Sequence, residues 1–117
     1  MPTPNSNVYV ATKAAIIAFT RAAAVDLAGY DVAVNCISPG MTETPMTEAF
    51  RNLPELADRR EWYRKTTPSN RPITPAREIA EAALFLCDGR VNGIYGATIA
   101  IDEGRSAGLV VREPISA

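Results

Sequence analysis

Histidine is absent from the 117 residues, which removes the Ser-His-Asp and Cys-His catalytic arrangements and the commonest metal ligand. Proton chemistry here must run on Tyr, Lys, Asp or Glu. Cysteine is scarce: Cys36 and Cys87 lie far apart, each inside an apolar run, without the CxxC or Cys/His spacing of a metal or redox site. Both are expected to be buried, reduced core residues, and no metal site is expected. An excess of one charge is also lacking, since 12 basic and 13 acidic residues are interspersed along the chain. That balance gives no electrostatic footprint for nucleic acid or an anionic membrane. The N-terminus, Met1-Pro2-Thr3-Pro4-Asn5-Ser6-Asn7, has no basic n-region or apolar h-region, and no run is expected to reach transmembrane length. These absences point to a cytoplasmic chain whose partner is a small molecule, with no nucleic acid and no membrane.

Nearly half of the residues are apolar, and the length suits a single domain with a real core. The feature that carries chemistry is Tyr9, followed four residues later by Lys13. On a helix this spacing puts a phenol and an ammonium on one face, about one turn apart, where the cation can stabilise phenolate. A free phenol titrates near ~10 and is a poor proton shuttle at neutral pH, so a tyrosine acting as acid and base needs such a neighbour. By itself the pair is equally the pattern of a half-buried tyrosine beside a solvated lysine.

The order of elements reads as helix, strand, lid, helix, strand. Asn5, Ser6 and Asn7 are N-cap residue types ahead of an alanine-rich helix over 8–28, with Gly29 as its C-cap. Alanines at 11, 14, 15, 18 and 22 recur at three- and four-residue spacing, which predicts close packing along that face. A β-branched run over 32–38 reads as a buried parallel strand terminated by Pro39-Gly40. Residues 41–71 lose periodicity, with Pro45, Pro54 and Pro68 and room for short helices near 47–50 and 56–65. A long irregular segment of this kind suits a substrate lid. Thr74 is placed to cap a helix over 75–88 whose inward face is Ile79, Ala82, Ala83 and Leu86, with Gly89 beyond its end. Residues 94–101 form the last strand, with Gly96 a point of close backbone approach and an irregular tail after Asp102. No repeat is present.

In this order the motifs resemble the C-terminal half of the short-chain dehydrogenase/reductase family. Tyr9-x-x-x-Lys13 with Ala14-Ala15 is similar to its catalytic helix, and Val34-Asn35-Cys36-Ile37-Ser38-Pro39-Gly40 with Thr44-Pro45-Met46 to its strand and cofactor loop. Arg71-Pro72, Glu78-Ile79-Ala80 and Leu84-Phe85-Leu86 resemble the following helix, and Asn92-Gly93 through Ile101-Asp102 the last strand. The resemblance covers most of the chain. It implies an α/β fold, the C-terminal part of a Rossmann-type doubly wound parallel sheet, with NAD or NADP as cofactor and an alcohol or carbonyl compound as substrate. On the same resemblance Tyr9 exchanges a proton with the substrate oxygen, and Lys13 favours its phenolate and holds the nicotinamide ribose. Pro39 and Gly40 begin the turn beneath the nicotinamide, Thr42 faces the carboxamide through its backbone, and the Thr44 hydroxyl reaches carboxamide or pyrophosphate. Met46, Phe50, Leu53, Trp62 and Tyr63 are either substrate contacts or the core of short helices. The family's habit of forming dimers or tetramers implies a homo-oligomer.

The pattern also departs from the family. No GxxxGxG occurs, so no helix N-terminus is prepared for the pyrophosphate, and the serine that stands about a dozen residues before the tyrosine is missing. Ser6 stands too close to Tyr9 to replace it. Glu103 occupies the place of the glycine that usually follows the aspartate. The chain is therefore expected to be a partial domain lacking the N-terminal nucleotide-binding half, with an unpaired apolar edge on the strand at 32–38. It is expected not to bind NAD(P)H unaided and to act as part of a fuller oxidoreductase. The alternative is a catalytically inactive module for self-association or for pairing with a full-length relative.

Overall fold

The computed structural model describes residues 5–110. Helix α1 spans Asn7–Leu27, with Ser6 at its N-cap position, and continues into a 3-10 turn at Ala28–Tyr30. The expected C-cap at Gly29 is displaced: Asp31 takes the left-handed conformation at φ 58° and donates its N–H to the Ala28 carbonyl. Asp tolerates that region better than most residues, so the chain turns there.

Strand β1, Cys36–Pro39, pairs with β2, Thr98–Ile101. Gly96 N–H donates to the Val34 carbonyl, Cys36 N–H to Ala97 and Gly40 N–H to Ile101, an ascending order that makes the pair parallel. Both strands are shorter than expected. One cause is Asn35, whose side chain stands in for the backbone ladder: Nδ2 donates to the Ile94 carbonyl at 2.7 Å and Oδ1 accepts from Ala97 N–H at 3.0 Å. The amide thereby meets the hydrogen bonds that its half-buried position demands. Among the described residues β1 has β2 as its one neighbour.

The segment between the strands is more regular than its composition suggests. A 3-10 turn at Pro45–Thr47 leads into α2, Glu48–Asn52, and another at Pro54–Leu56 leads into α3, Ala57–Thr66. Each proline sits at the start of its turn, where the missing N–H costs nothing. Helix α4, Ala76–Cys87, then carries the chain to β2. Ile79, Ala82, Ala83 and Leu86 are the more buried row of α4, while Cys87 is exposed, contrary to expectation, because it falls one position off that row. The free Cys36 is half-buried.

The described residues divide into two compact units. The first contains residues 5–38 and 81–99, the second residues 39–80 and 100–110. In the first, Thr20 and Ala24 are buried, and a Cβ on Gly96 (φ +69°) would lie 3.5 Å from the Ala24 Cβ, the close approach anticipated at that glycine. In the second, Thr67 and Thr74 are fully buried, and Phe50 and Tyr63 pack edge to face at 5.7 Å. Ala24 is the one buried apolar residue among those described. The expected extended core is thus not formed, since two paired strands present too little surface to enclose an interior.

The alanine row at 11, 14, 15, 18 and 22 faces outward, and the inward row of α1 is Val10, Ile17, Thr20, Ala23 and Ala24. With its following turn, the Asn7–Tyr30 helix is long and apolar enough, by length and composition alone, to cross a membrane. This corrects the sequence expectation; the cause is the density of alanine between the few charged positions Lys13, Arg21, Asp26. The irregular tail after Asp102 is met as turns over 103–107 and irregular chain over 108–110, and residues 111–117 lie outside the described part. So do residues 1–4 of the N-terminal stretch.

Candidate active site

The first unit holds Tyr9 and Lys13. Both lie in the opening turns of α1, and the Lys13 ammonium stands 5.4 Å from the centre of the Tyr9 ring. The helical spacing thus brings phenol and cation together, as the sequence predicts. The Thr12 hydroxyl donates to the Tyr9 carbonyl at 2.8 Å, and Val10 N–H donates to the Ser6 carbonyl at 2.8 Å, closing the first turn beneath the ring. Tyr9 is 63% exposed. Among the described residues its hydroxyl makes no hydrogen bond and the Lys13 ammonium no ion pair, so both polar ends remain available to a ligand.

The second unit holds Pro39, Gly40, Thr42 and Thr44. Pro39 ends β1, and Gly40 donates its N–H to the Ile101 carbonyl at 2.9 Å. A side chain at Gly40 is blocked by the backbone of Asp102, so this glycine is required by the neighbouring strand end. The Thr42 hydroxyl donates to the Gly40 carbonyl at 3.1 Å, which folds the turn onto itself. Thr44 N–H donates to the Thr47 hydroxyl at 3.1 Å, and that hydroxyl donates to the Thr42 carbonyl at 2.6 Å. Arg51 braces the same turn through the Glu43 carboxylate at 2.9 Å.

Residues that the sequence reading did not place in the site hold this loop. Thr74 N–H donates to the Met41 carbonyl at 2.8 Å and Glu43 N–H to the Thr74 carbonyl at 2.9 Å, a parallel bridge between Thr42 and Thr74. The Thr74 hydroxyl, expected as a helix cap, instead donates to Glu103 at 2.8 Å. Arg71 reaches Glu103 with Nε at 2.9 Å and Glu78 with both terminal nitrogens at 2.7 and 2.9 Å. The Glu78 and Glu103 carboxylates hold the Arg71 guanidinium above its ordinary range, and Arg71 in turn lowers Glu78. For Glu103, burial acts to raise the carboxyl, but hydrogen bonds from Ser69, Thr74 and Arg71 outweigh it and the net shift is downward. The signals available in the sequence were the Thr44-x-x-Thr47 spacing and the glutamate at a glycine position.

Of the expected apolar contacts, Phe50 and Tyr63 pack on each other, whereas Met46, Leu53 and Trp62 are exposed. Arg105 lies over the Tyr63 ring at 3.7 Å and donates to the Thr67 hydroxyl at 2.9 Å, tying the end of α3 to the turn after β2. No cluster of metal-ligating side chains occurs among the described residues.

A helix that pairs tyrosine with lysine, a parallel strand ending in Pro-Gly and a braced threonine turn make up an α/β arrangement. A family model described as Enoyl-(Acyl carrier protein) reductase matches residues 1–106. The chain belongs to the short-chain dehydrogenase/reductase family. It is 42% identical over 96 residues to a galactitol 2-dehydrogenase (L-tagatose-forming) of Cereibacter sphaeroides, covering 82% of this chain and 36% of that protein. It is 40% identical over 101 residues to a 3-oxoacyl-(acyl-carrier-protein) reductase of Thermotoga maritima, covering 86% of this chain and 39% of that one. Among solved structures it is similar to a putative 2-deoxy-D-gluconate 3-dehydrogenase of Agrobacterium tumefaciens with bound NADP. There the TM-score is 0.75 and the identity 32%, over 85% of this chain and 39% of that one. The chain thus spans well under half the length of the relatives that it matches.

Proposed function

We propose that this chain supplies the acid-base part of an NAD(P)-dependent oxidoreductase that interconverts an alcohol and a carbonyl compound. The observation that carries the reading is the Tyr9–Lys13 pair, with the ammonium 5.4 Å from the ring and both polar ends uncommitted among the described residues. That donor set fits the nicotinamide-ribose end of the cofactor, where Lys13 would hold the ribose; in the second unit, taken by itself, Pro39, Gly40, Thr42 and Thr44 form the turn that the family resemblance assigns to the nicotinamide. No Gly-rich turn for the pyrophosphate occurs in this sequence, which is why the activity is assigned to a fuller protein.

When bound, NAD(P) carries the hydride. Tyr9 gives its hydroxyl proton to the carbonyl oxygen in reduction, or takes the proton from the alcohol in oxidation, and so stabilises the alkoxide character that develops there. Lys13, with its ammonium 5.4 Å from the centre of the ring, needs no contact with the reacting atoms. The exposed Met46, two residues beyond Thr44, offers an apolar contact to a substrate beside that turn. The working location is cytoplasmic, and the partners are a small-molecule substrate and further copies of the chain.

A second reading, a non-catalytic module for self-association, rests on one observation. Phe19 and Val25 on α1 are 70% and 78% exposed, an apolar surface suited to a partner helix. Turnover separates the two. The whole enzyme is assayed with NAD and NADP against a panel of secondary alcohols and carbonyl compounds, alongside Tyr9→Phe. The expected result is turnover that Tyr9→Phe abolishes while cofactor affinity stays nearly unchanged. Undiminished turnover in the variant removes Tyr9 from the mechanism, and a wild-type protein inert with every compound favours the second reading.

A further inference from the structure

Glu103 is an unusual residue for its position. Its backbone is left-handed at φ 62°, a conformation unfavourable for a non-glycine residue, while the side chain is only 6% exposed. A carboxylate kept in a strained, buried place must be held by what it contacts. Its partners are Ser69, the Thr74 hydroxyl at 2.8 Å and the Arg71 guanidinium at 2.8 and 2.9 Å, and Arg71 is itself locked by Glu78 on α4. Thr74 is fully buried, and its two backbone hydrogen bonds run to Met41 and Glu43, on either side of Thr42.

We propose that Glu103 is a positioning residue for the turn at 41–44, acting through Thr74. This rests on the reading above that the turn faces the nicotinamide. The carboxylate fixes the Thr74 side chain, Thr74 fixes the backbone of the turn from Met41 to Glu43, and the Arg71–Glu78 pair keeps the carboxylate ionised and aimed. A glycine at 103 would relieve the backbone but leave Thr74 without an acceptor. The backbone bridge from Thr74 to the turn would then lose its side-chain anchor, leaving Thr47 and Arg51 as the turn's side-chain braces.

Amide hydrogen exchange on the intact chain tests this without any cofactor, so its outcome is independent of whether the oxidoreductase reading holds. Thr74→Val removes the hydroxyl at nearly constant volume, Thr74→Ser keeps it, and Glu103→Gly removes the carboxylate together with the strain. The expected result is about tenfold faster exchange at the Glu43 amide in Thr74→Val and Glu103→Gly, the factor one hydrogen bond supplies. Thr74→Ser should restore near wild-type exchange, and the amides of α1 should be unaffected in all three. Unchanged exchange at Glu43 in both variants, or an equal rise at Glu43 and throughout α1, overturns the proposal, as does a Thr74→Ser variant as fast as Thr74→Val.

Discussion

A Cβ built on Gly40 would lie 2.8 Å from the Cα of Asp102 and 2.9 Å from its Cβ. The obstacle is another backbone, which cannot swing aside as the tip of a flexible side chain can. Gly40→Ala is therefore expected to push the ends of β1 and β2 apart and to destabilise the chain by about 1–3 kcal/mol, the usual cost of overpacking. Urea denaturation measures it. A variant with an unchanged midpoint would mean that the strand ends separate without cost.

Asn35 offers a second test, because its side chain makes two hydrogen bonds to the backbone of the neighbouring segment, at Ile94 and Ala97. Asn35→Leu leaves a carbonyl and an N–H without their partner, at about 1–3 kcal/mol for each group that stays dry. Asn35→Asp keeps the acceptor for Ala97 N–H and loses the donor to Ile94, so its loss should be the smaller of the two. Denaturation midpoints in the order wild type, Asp, Leu are expected. A leucine variant as stable as wild type would show that water replaces both bonds.

Acid should weaken the chain in a defined window. In Asp102, burial acts to raise the carboxyl, but hydrogen bonds from Ser106 and Gly104 outweigh it and hold the group below its ordinary 3.8. Glu103 and Glu78 lie below their ordinary 4.5 for the reasons given above, and Glu61 is pushed down to about 2, chiefly by its hydrogen bond with Arg64. A carboxyl lowered on folding binds fewer protons in the folded state. Its contribution is complete above the ordinary value and is lost as pH falls through the folded one. The melting temperature should stay level down to about 4.5 and then fall. Asp102→Asn should start lower and fall less steeply. A melting temperature that stays level below 3.8 would contradict the assignment.

The parts legible in the sequence were those written locally. Tyr9 and Lys13 meet because one helical turn brings them together, and the inward row of α4 follows from Ile79, Ala82, Ala83 and Leu86. The orientation of α1 was not legible, because alanine on every side gives no contrast between faces and the buried Thr20 looks polar on paper. The brace behind the threonine turn was hidden for another reason. Thr74 and Glu103 are 29 positions apart, and no local period announces a hydrogen bond across that distance. The short helices α2 and α3 were underrated because Pro45 and Pro54 look like breakers, whereas here each begins a turn.

The stack of Arg105 on Tyr63 separates the segment after β1 into a root and a tip. At the root, Arg105 holds Tyr63 and Thr67, and Val110 N–H donates to the Thr66 carbonyl. At the tip, Met46 is 92% exposed and makes none of these contacts, whereas Trp62, beside Tyr63 and under Arg105, belongs to the root. Mutation can rewrite such a tip without loosening what anchors it. The consequence is evolutionary: under the proposed function, a lineage could change which substrate it accepts by altering outward side chains while inheriting the same anchor intact.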